Sequence, residues 1–142
     1  MDSMVATAVA GTDTKEARTT DYFVVKDGLH FAGAHLLLEL WDGEHFDDIK
    51  AVEAALKDAA SAARAAVLNI HVHRFMSSGG VTGVALLAES HISIHTWPES
   101  GFAAIDIFMC GACNPYQAVP ALRRAFRPAR LHIFEHKRGL LP

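Results

Sequence analysis

The strongest constraint on how this chain can fold is a period of two residues in its polar and apolar side chains. In residues 70–73 two histidines alternate with isoleucine and valine, and in residues 91–95 two histidines and a serine alternate with two isoleucines. This period is typical of β-strands, because successive side chains of a strand point to opposite faces of the sheet. The sequence therefore predicts a sheet with one apolar face and one face that carries histidines.

Other segments complete the predicted layout. Apolar residues three and four positions apart indicate a helix over about residues 47–64, and Asn114-Pro115 is typical of a second helix start. Pro120 is expected to disturb the first turn of the second helix, and Pro128 is expected to end it. Strands are predicted over residues 22–25, 30–41, 67–75, 81–88, 91–96, 102–109 and 131–135. We therefore expect an α+β fold, a two-layer α/β sandwich in which two helices cover one face of a mainly antiparallel sheet.

Composition narrows the class of protein. The chain has 142 residues, of which 51% are hydrophobic and 20% charged, as expected for one globular domain. We expect a flexible tail over residues 1–21, where no period is sustained, and a single domain over residues 22–142. The net charge of −3 argues against nucleic acid as a partner, and no apolar run approaches the length of a membrane span. Two cysteines cannot build a disulfide framework, so a reducing, cytoplasmic location is expected.

Polar side chains are densest in residues 89–99, between two segments that are predicted to be strands. Ionisable and hydroxyl groups are costly inside a sheet unless they are paired. Taken alone, this density is explained equally well by a hairpin with a solvent-exposed polar face and by a reactive site.

A longer motif points beyond these two interpretations. Residues 88–99 have the sequence Ala-Glu-Ser-His-Ile-Ser-Ile-His-Thr-Trp-Pro-Glu, which resembles the processing-site motif of the small prokaryotic S-adenosylmethionine decarboxylases. The resemblance covers about residues 30–139 and continues in residues 33–36, 73–75, 80–83, 102–111 and 135–139. It implies a carboxy-lyase that carries a pyruvoyl group made from its own chain. Its expected product is the decarboxylated aminopropyl donor of spermidine synthesis.

The resemblance assigns roles in self-cleavage. The chain is expected to cut itself between Glu89 and Ser90 into a fragment of residues 1–89 and a fragment of residues 90–142. Ser90 would become the pyruvoyl group, which forms a Schiff base with the substrate amine. His95 is expected to remove the α-proton of Ser90. Thr82, where a serine is common in the family, would offer a hydroxyl near the carbonyl that is cut.

The resemblance also assigns roles in catalysis and assembly. Cys110 is the expected proton donor, Glu99 the expected acceptor for the two ribose hydroxyls, and Phe75 the expected stacking partner of the adenine. The loop after Phe75 is one residue longer than the common pattern and lacks its proline. No metal is expected. The family implies a homodimer of processed pairs with its sites at the subunit boundary.

Three alternatives remain open. The same pyruvoyl scaffold could decarboxylate arginine or ornithine, because the pyruvoyl chemistry involves only the α-amino acid end of the substrate. Cys110 and Cys113 have the spacing of a redox motif. His71, His73, His91 and His95 could instead form a metal-binding module, although zinc sites more often include cysteine or carboxylate ligands.

Overall fold

The computed structural model describes residues 23–142, so the tail predicted over residues 1–21 lies outside the described residues. Within these described residues, eight strands and two α-helices follow one another, together with two short 3-10 turns at Pro98–Ser100 and Pro115–Ala118. The elements are β1 (Val24–Lys26), β2 (Leu29–Phe31), β3 (Gly33–Trp41), α1 (Ile49–Ala62), β4 (Val67–Arg74), β5 (Val81–Leu87), β6 (Ser90–Trp97), β7 (Phe102–Cys110), α2 (Val119–Phe126) and β8 (Arg130–Arg138).

Six strands form one antiparallel sheet in the order β4-β5-β6-β7-β3-β8, and β1 and β2 form a separate hairpin. The predicted strand over residues 30–41 is therefore two strands. They separate at Ala32, where the chain changes from pairing with β1 to pairing with β7 and β8. The last strand is longer than predicted, because all nine residues of β8 pair with β3.

Side-chain caps lie at the start of α1 and at the start of the 3-10 turn that leads into α2. The carboxylate of Asp48 accepts hydrogen bonds from the amides of Lys50 (3.0 Å) and Ala51 (3.1 Å) at the start of α1. Asn114 caps the 3-10 turn Pro115–Ala118, which is the irregular first turn that Pro120 predicts, and α2 follows it. Apolar stripes on both helices pack against the same face of the sheet, which confirms the predicted two-layer α+β fold.

The other face of the sheet carries the polar residues. Alternation along β4 turns Ile70 and Val72 towards the helices and His71 and His73 away from them, as the sequence predicts. Strands β6 and β7 follow the same rule. The polar and aromatic side chains of this open face include His35, Thr82, His91, Ser93, His95, Trp97, Asp106 and Phe108. Among the described residues, no helix has the length and apolar character needed to cross a membrane.

Candidate active site

The turn before β6 has an unusual backbone. Leu87 pairs with Ser90, so only Ala88 and Glu89 connect β5 to β6. Glu89 has a φ of 62°, in the left-handed region that favours glycine. For a residue with a Cβ atom this conformation costs about 1–2 kcal/mol. The peptide bond predicted to be cut therefore follows a strained residue.

The Ser90 hydroxyl and the Cys110 thiol both lie at this turn. The hydroxyl of Ser90 is buried and has no hydrogen-bond partner within residues 23–142, although an unpaired buried hydroxyl is unfavourable. The thiol of Cys110, at the end of β7, donates a hydrogen bond of 2.9 Å to the carbonyl oxygen of Glu89. The Glu89 carbonyl is thus polarised by a donor, while the adjacent hydroxyl is not engaged elsewhere. We refer to Glu89, Ser90 and Cys110 as the Ser90 group.

Burial raises the pKa of the Cys110 thiol, and the nearby charge of Glu89 raises it further. The neighbouring Ser90 hydroxyl lowers the pKa of the thiol, but by less than burial raises it. Cys110 therefore keeps its proton at neutral pH. A protonated thiol can donate to the Glu89 carbonyl and can also deliver a proton to a substrate.

A second group of the predicted residues lines a pocket of about 300 Å³ at the other end of β6. Thr82 and His95 are cross-strand partners, and the Thr82 hydroxyl lies 3.3 Å from Nδ1 of the His95 ring. Phe75 and Trp97 offer aromatic rings that are nearly half exposed, and Glu99 lies in the 3-10 turn at the pocket's edge. We refer to this as the His95 pocket; it is lined by Phe75, Ser78, Gly80, Val81, Thr82, His95, Thr96, Trp97 and Glu99.

The chain does not bring these two groups together. Ser90 and His95 lie five residues apart on the extended strand β6. At about 3.3 Å per residue, this separates them by roughly 16 Å along the strand. Their side chains also point to opposite faces, because Ser90 is buried with Ile92 and Ile94 while His95 is exposed. Within one chain, His95 cannot reach the α-proton of Ser90.

A third cluster lies on the open face between the two groups. One oxygen of the Asp106 carboxylate lies 2.6 Å from Nε2 of His35 and 3.1 Å from Nε2 of His91. The other oxygen accepts a hydrogen bond from the Ser93 hydroxyl. Arg138 lies 3.1 Å from Nδ1 of His35, and because a guanidinium can only donate, Nδ1 accepts and Nε2–H donates to Asp106. We refer to these five residues as the Asp106 network.

The network sets the charge of its members. Burial alone would raise the pKa of Asp106, but hydrogen bonds from His91, Ser93 and His35 outweigh it and hold this pKa well below its usual range. The hydrogen bond to Asp106 raises the pKa of His91 despite partial burial. The pair is therefore a carboxylate and an imidazole that favours its charged form.

Sequence reasoning missed two features of the site. Trp97 belongs to the motif of residues 88–99 but is given no role there, and it lines the pocket beside Glu99. The Asp106 network depends on the register between β3, β7 and β6, which joins His35 to a residue 71 positions away. The available signal was an aspartate within the otherwise apolar segment 102–109.

The metal-module and redox alternatives each require a particular set of side chains to lie together. Within residues 23–142, the only set of three or more possible metal ligands is His35, His91 and Asp106, and it does not include His71, His73 or His95. The lone pair of Nδ1 on His35 is engaged by Arg138, and its Nε2 carries the proton given to Asp106. Cys110 and Cys113 donate to different backbone carbonyls, those of Glu89 and Arg64.

Comparisons with known proteins agree on one class. A family model described as S-adenosylmethionine decarboxylase matches residues 34–139. The chain is 52% identical over 110 residues to a protein of Methanococcus aeolicus, covering 75% of this chain and 93% of the relative. It is 44% identical over 110 residues to a protein of Thermomicrobium roseum, covering 77% and 95%. Both relatives are named S-adenosylmethionine decarboxylase proenzyme.

The fold gives the same result. A crystal structure of the adenosylmethionine decarboxylase from Aquifex aeolicus matches with a TM-score of 0.70 and 33% identity, over 78% of this chain and 92% of that one. The fold and the sequence therefore both place the chain in the class of decarboxylases. The chain belongs to the S-adenosylmethionine decarboxylase family, as the motif in residues 88–99 predicts.

Proposed function

We propose that this chain is a proenzyme that cuts itself between Glu89 and Ser90, and that the pyruvoyl group so formed decarboxylates S-adenosylmethionine. The observation that carries the proposal is the Ser90 group. A buried hydroxyl that has no hydrogen-bond partner among residues 23–142 follows a strained residue whose carbonyl accepts a hydrogen bond from Cys110. The name proenzyme, given to the relatives, supports a self-processing chain.

The cleavage follows from these groups and balances in atoms. The Ser90 oxygen attacks the Glu89 carbonyl carbon, the bond to the Ser90 nitrogen breaks, the hydroxyl proton passes to that nitrogen, and an ester with a free amine replaces the amide. The Cys110 thiol stabilises the negative charge that develops on the carbonyl oxygen. Removal of the Ser90 α-proton then breaks the ester, leaving a carboxylate at Glu89 and dehydroalanine at residue 90. Hydrolysis of the dehydroalanine consumes one water and releases one ammonia, which leaves pyruvoyl.

The residues fit the group that this cleavage would create. A pyruvoyl ketone supplies an electron sink for loss of carbon dioxide from an amino acid. Cys110 lies beside residue 90 and holds the proton that must replace the carboxylate. The His95 pocket offers aromatic faces for an adenine and the Glu99 carboxylate for two ribose hydroxyls.

The sheet keeps the two fragments associated. Residues 1–89 supply β3, β4 and β5, and residues 90–142 supply β6, β7 and β8. Because β3 lies between β7 and β8, and β5 pairs with β6, the strands of the two fragments are interleaved. Cutting one turn therefore leaves three strand pairings that join the fragments, which supports a stable processed pair.

A second copy of the chain completes the site in this proposal. The Ser90 group and the His95 pocket lie at opposite ends of β6, and the two helices described in residues 23–142 cover only one face of the sheet. In a twofold dimer, if one region of a subunit contacts a second region of its partner, the second region of that subunit also contacts the first region of the partner. Pairing of the two open faces would set the Ser90 group of one subunit against the His95 pocket of the other. This arrangement removes the separation of roughly 16 Å along β6 that keeps His95 from Ser90 within a single chain.

Replacement of Cys110 by alanine is expected to slow self-cleavage about tenfold, because it removes one hydrogen bond, worth about 1–1.5 kcal/mol, to the carbonyl that is cut. The mature variant should lose turnover, because a proton placed on the wrong carbon would leave alanine at residue 90. Time-resolved gel analysis and intact mass measure the two effects. Cys113→Ala is the matched control and should behave as the wild type. Normal turnover in Cys110→Ala, with loss in Cys113→Ala, would contradict the assignment.

Replacement of Glu99 by glutamine is expected to lower kcat/KM for S-adenosylmethionine by about ten- to a hundredfold. The reason is the loss of charge-assisted hydrogen bonds worth about 1.5–3 kcal/mol. Self-cleavage should be largely unchanged. Steady-state kinetics and gel analysis give the two readouts, with Glu53→Gln on α1 as the control. A kcat/KM equal to that of the wild type would remove Glu99 from the substrate site.

Arginine or ornithine is the second candidate substrate, because neither needs the ribose and adenine contacts and the altered loop of residues 76–80 borders the His95 pocket. Carbon dioxide release from S-adenosylmethionine, arginine and ornithine, measured in parallel on processed protein, decides between them. We expect release from S-adenosylmethionine. Release from arginine or ornithine alone would assign the chain to the second candidate.

A further inference from the structure

The Asp106 network joins the start of β6 to the rest of the sheet. His91, the residue directly after the proposed cut, is held through its ring by Asp106 on β7 at 3.1 Å. Asp106 is itself held by His35 on β3 at 2.6 Å, and His35 by Arg138 on β8 at 3.1 Å. Side chains from four adjacent strands thus form one continuous chain of hydrogen bonds that ends beside residue 90.

Self-cleavage changes what holds residue 90. In the uncut chain, the turn of Ala88 and Glu89 connects it covalently to β5. After the cut, residue 90 is a chain terminus, and termini fray unless something holds them. The side-chain contact closest in sequence to this new end is the hydrogen bond between His91 and Asp106.

We propose that Asp106 is a positioning residue that acts through His91 to hold the new amino terminus of the 90–142 fragment, so that the reactive group at residue 90 keeps a fixed orientation. This inference rests on the proposed self-cleavage and extends it to residues that the family motif leaves without a role.

The chemistry of the contact suits this task. The carboxylate accepts from His35, His91 and Ser93 together, so its own position is fixed from two neighbouring strands. Hydrogen bonding to Asp106 favours the charged form of His91, and charge-assisted hydrogen bonds are about twice as strong as neutral ones. His91 also packs against the ring of Phe108 at a centroid distance of 6.1 Å, which limits its rotation.

The test uses the processed protein and compares Asp106→Asn, His91→Phe and the double variant with the wild type. Misplacement of a reacting group by about 1 Å can cost about a hundredfold in rate. We therefore expect kcat to fall about ten- to a hundredfold, with KM little changed because neither Asp106 nor His91 lines the substrate pocket. The double variant should be no worse than either single one, since both remove the same contact. His132→Gln, a histidine on the open face of β8, is the control.

Two further readouts do not depend on turnover. Amide hydrogen exchange over residues 91–93 should be faster in Asp106→Asn and His91→Phe than in the wild type and in His132→Gln. The ketone, titrated with hydroxylamine and counted by intact mass, should be present in full in every variant. Wild-type kcat and wild-type exchange in Asp106→Asn and His91→Phe would overturn the positioning role. Additive losses in the double variant would overturn it as well, because the two residues would then act separately.

The same measurements separate this inference from the proposed function. A wild-type protein that carries no ketone would overturn the self-cleavage itself. A wild-type protein with a full ketone content, together with unaffected Asp106→Asn and His91→Phe variants, would overturn only the positioning role. If Asp106→Asn fails to fold, His91→Phe removes the same contact while leaving Asp106 bonded to His35 and Ser93.

Discussion

Replacement of Ser90 by alanine is expected to leave the protein as one uncut chain of 142 residues without decarboxylase activity. The change removes the only oxygen that can attack the Glu89 carbonyl from the adjacent residue, so neither the ester nor the pyruvoyl group can form. Gel electrophoresis and a carbon dioxide release assay measure the two effects. The fold should persist, because alanine fills the small buried position and removes a hydroxyl that has no partner within the described residues.

Ser93→Ala is the matched control for this experiment. Ser93 lies on the same strand, three residues from the cut, and its hydroxyl is engaged by Asp106. This variant should still divide into fragments of residues 1–89 and 90–142. An active Ser90→Ala protein would contradict the entire pyruvoyl account, whatever its state of cleavage.

Two inactive variants are expected to restore each other's function. His95→Ala alone should stall after the acyl shift, because the base that removes the Ser90 α-proton is missing, and hydroxylamine should cleave the trapped ester. Co-expression with Ser90→Ala produces mixed dimers, in which the His95→Ala chain meets an intact His95 on its partner. Random pairing makes about half of the dimers mixed. About half of the His95→Ala chains should then mature. Each mixed dimer has one active site of two, so the number of active sites should be about a quarter of that in the same amount of wild-type protein.

Chains with distinct affinity tags allow maturation to be followed separately in each variant. His71→Ala co-expressed with Ser90→Ala is the control, and its own chain should mature even when expressed alone. The geometry supports this expectation, since Ser90 and His95 lie roughly 16 Å apart on opposite faces of one strand. Maturation of His95→Ala without a partner, or no restoration on co-expression, would contradict a site shared between two chains.

Much of the fold could be predicted from local pattern. The two-residue period identified which side chains share a face of the sheet, and it did so for β4 and for β6. The pair Asn114-Pro115 marked the start of the 3-10 turn that leads into α2. The strand order could not be predicted in this way. The position of β3 between β7 and β8 depends on pairing between residues distant in sequence, as does the length of β8.

The candidate site was predicted only in part. The family resemblance named Phe75, Thr82, His95 and Glu99 among the residues of the His95 pocket, and it named all three residues of the Ser90 group, but it did not separate the two groups. The separation was nevertheless implicit, because residues 90 and 95 differ by an odd number and must point to opposite faces of a strand. The Asp106 network could not be predicted, since it forms only when the register aligns β3, β7 and β6.

The most direct test of the account is the intact mass of freshly purified protein. The account predicts two fragments, residues 1–89 and 90–142. The second should be lighter by one ammonia than a fragment that begins with serine, and it should gain one oxime when treated with hydroxylamine. A single uncut chain, or a 90–142 fragment that begins with a free serine amine, would contradict the proposal that this protein makes a pyruvoyl group from Ser90.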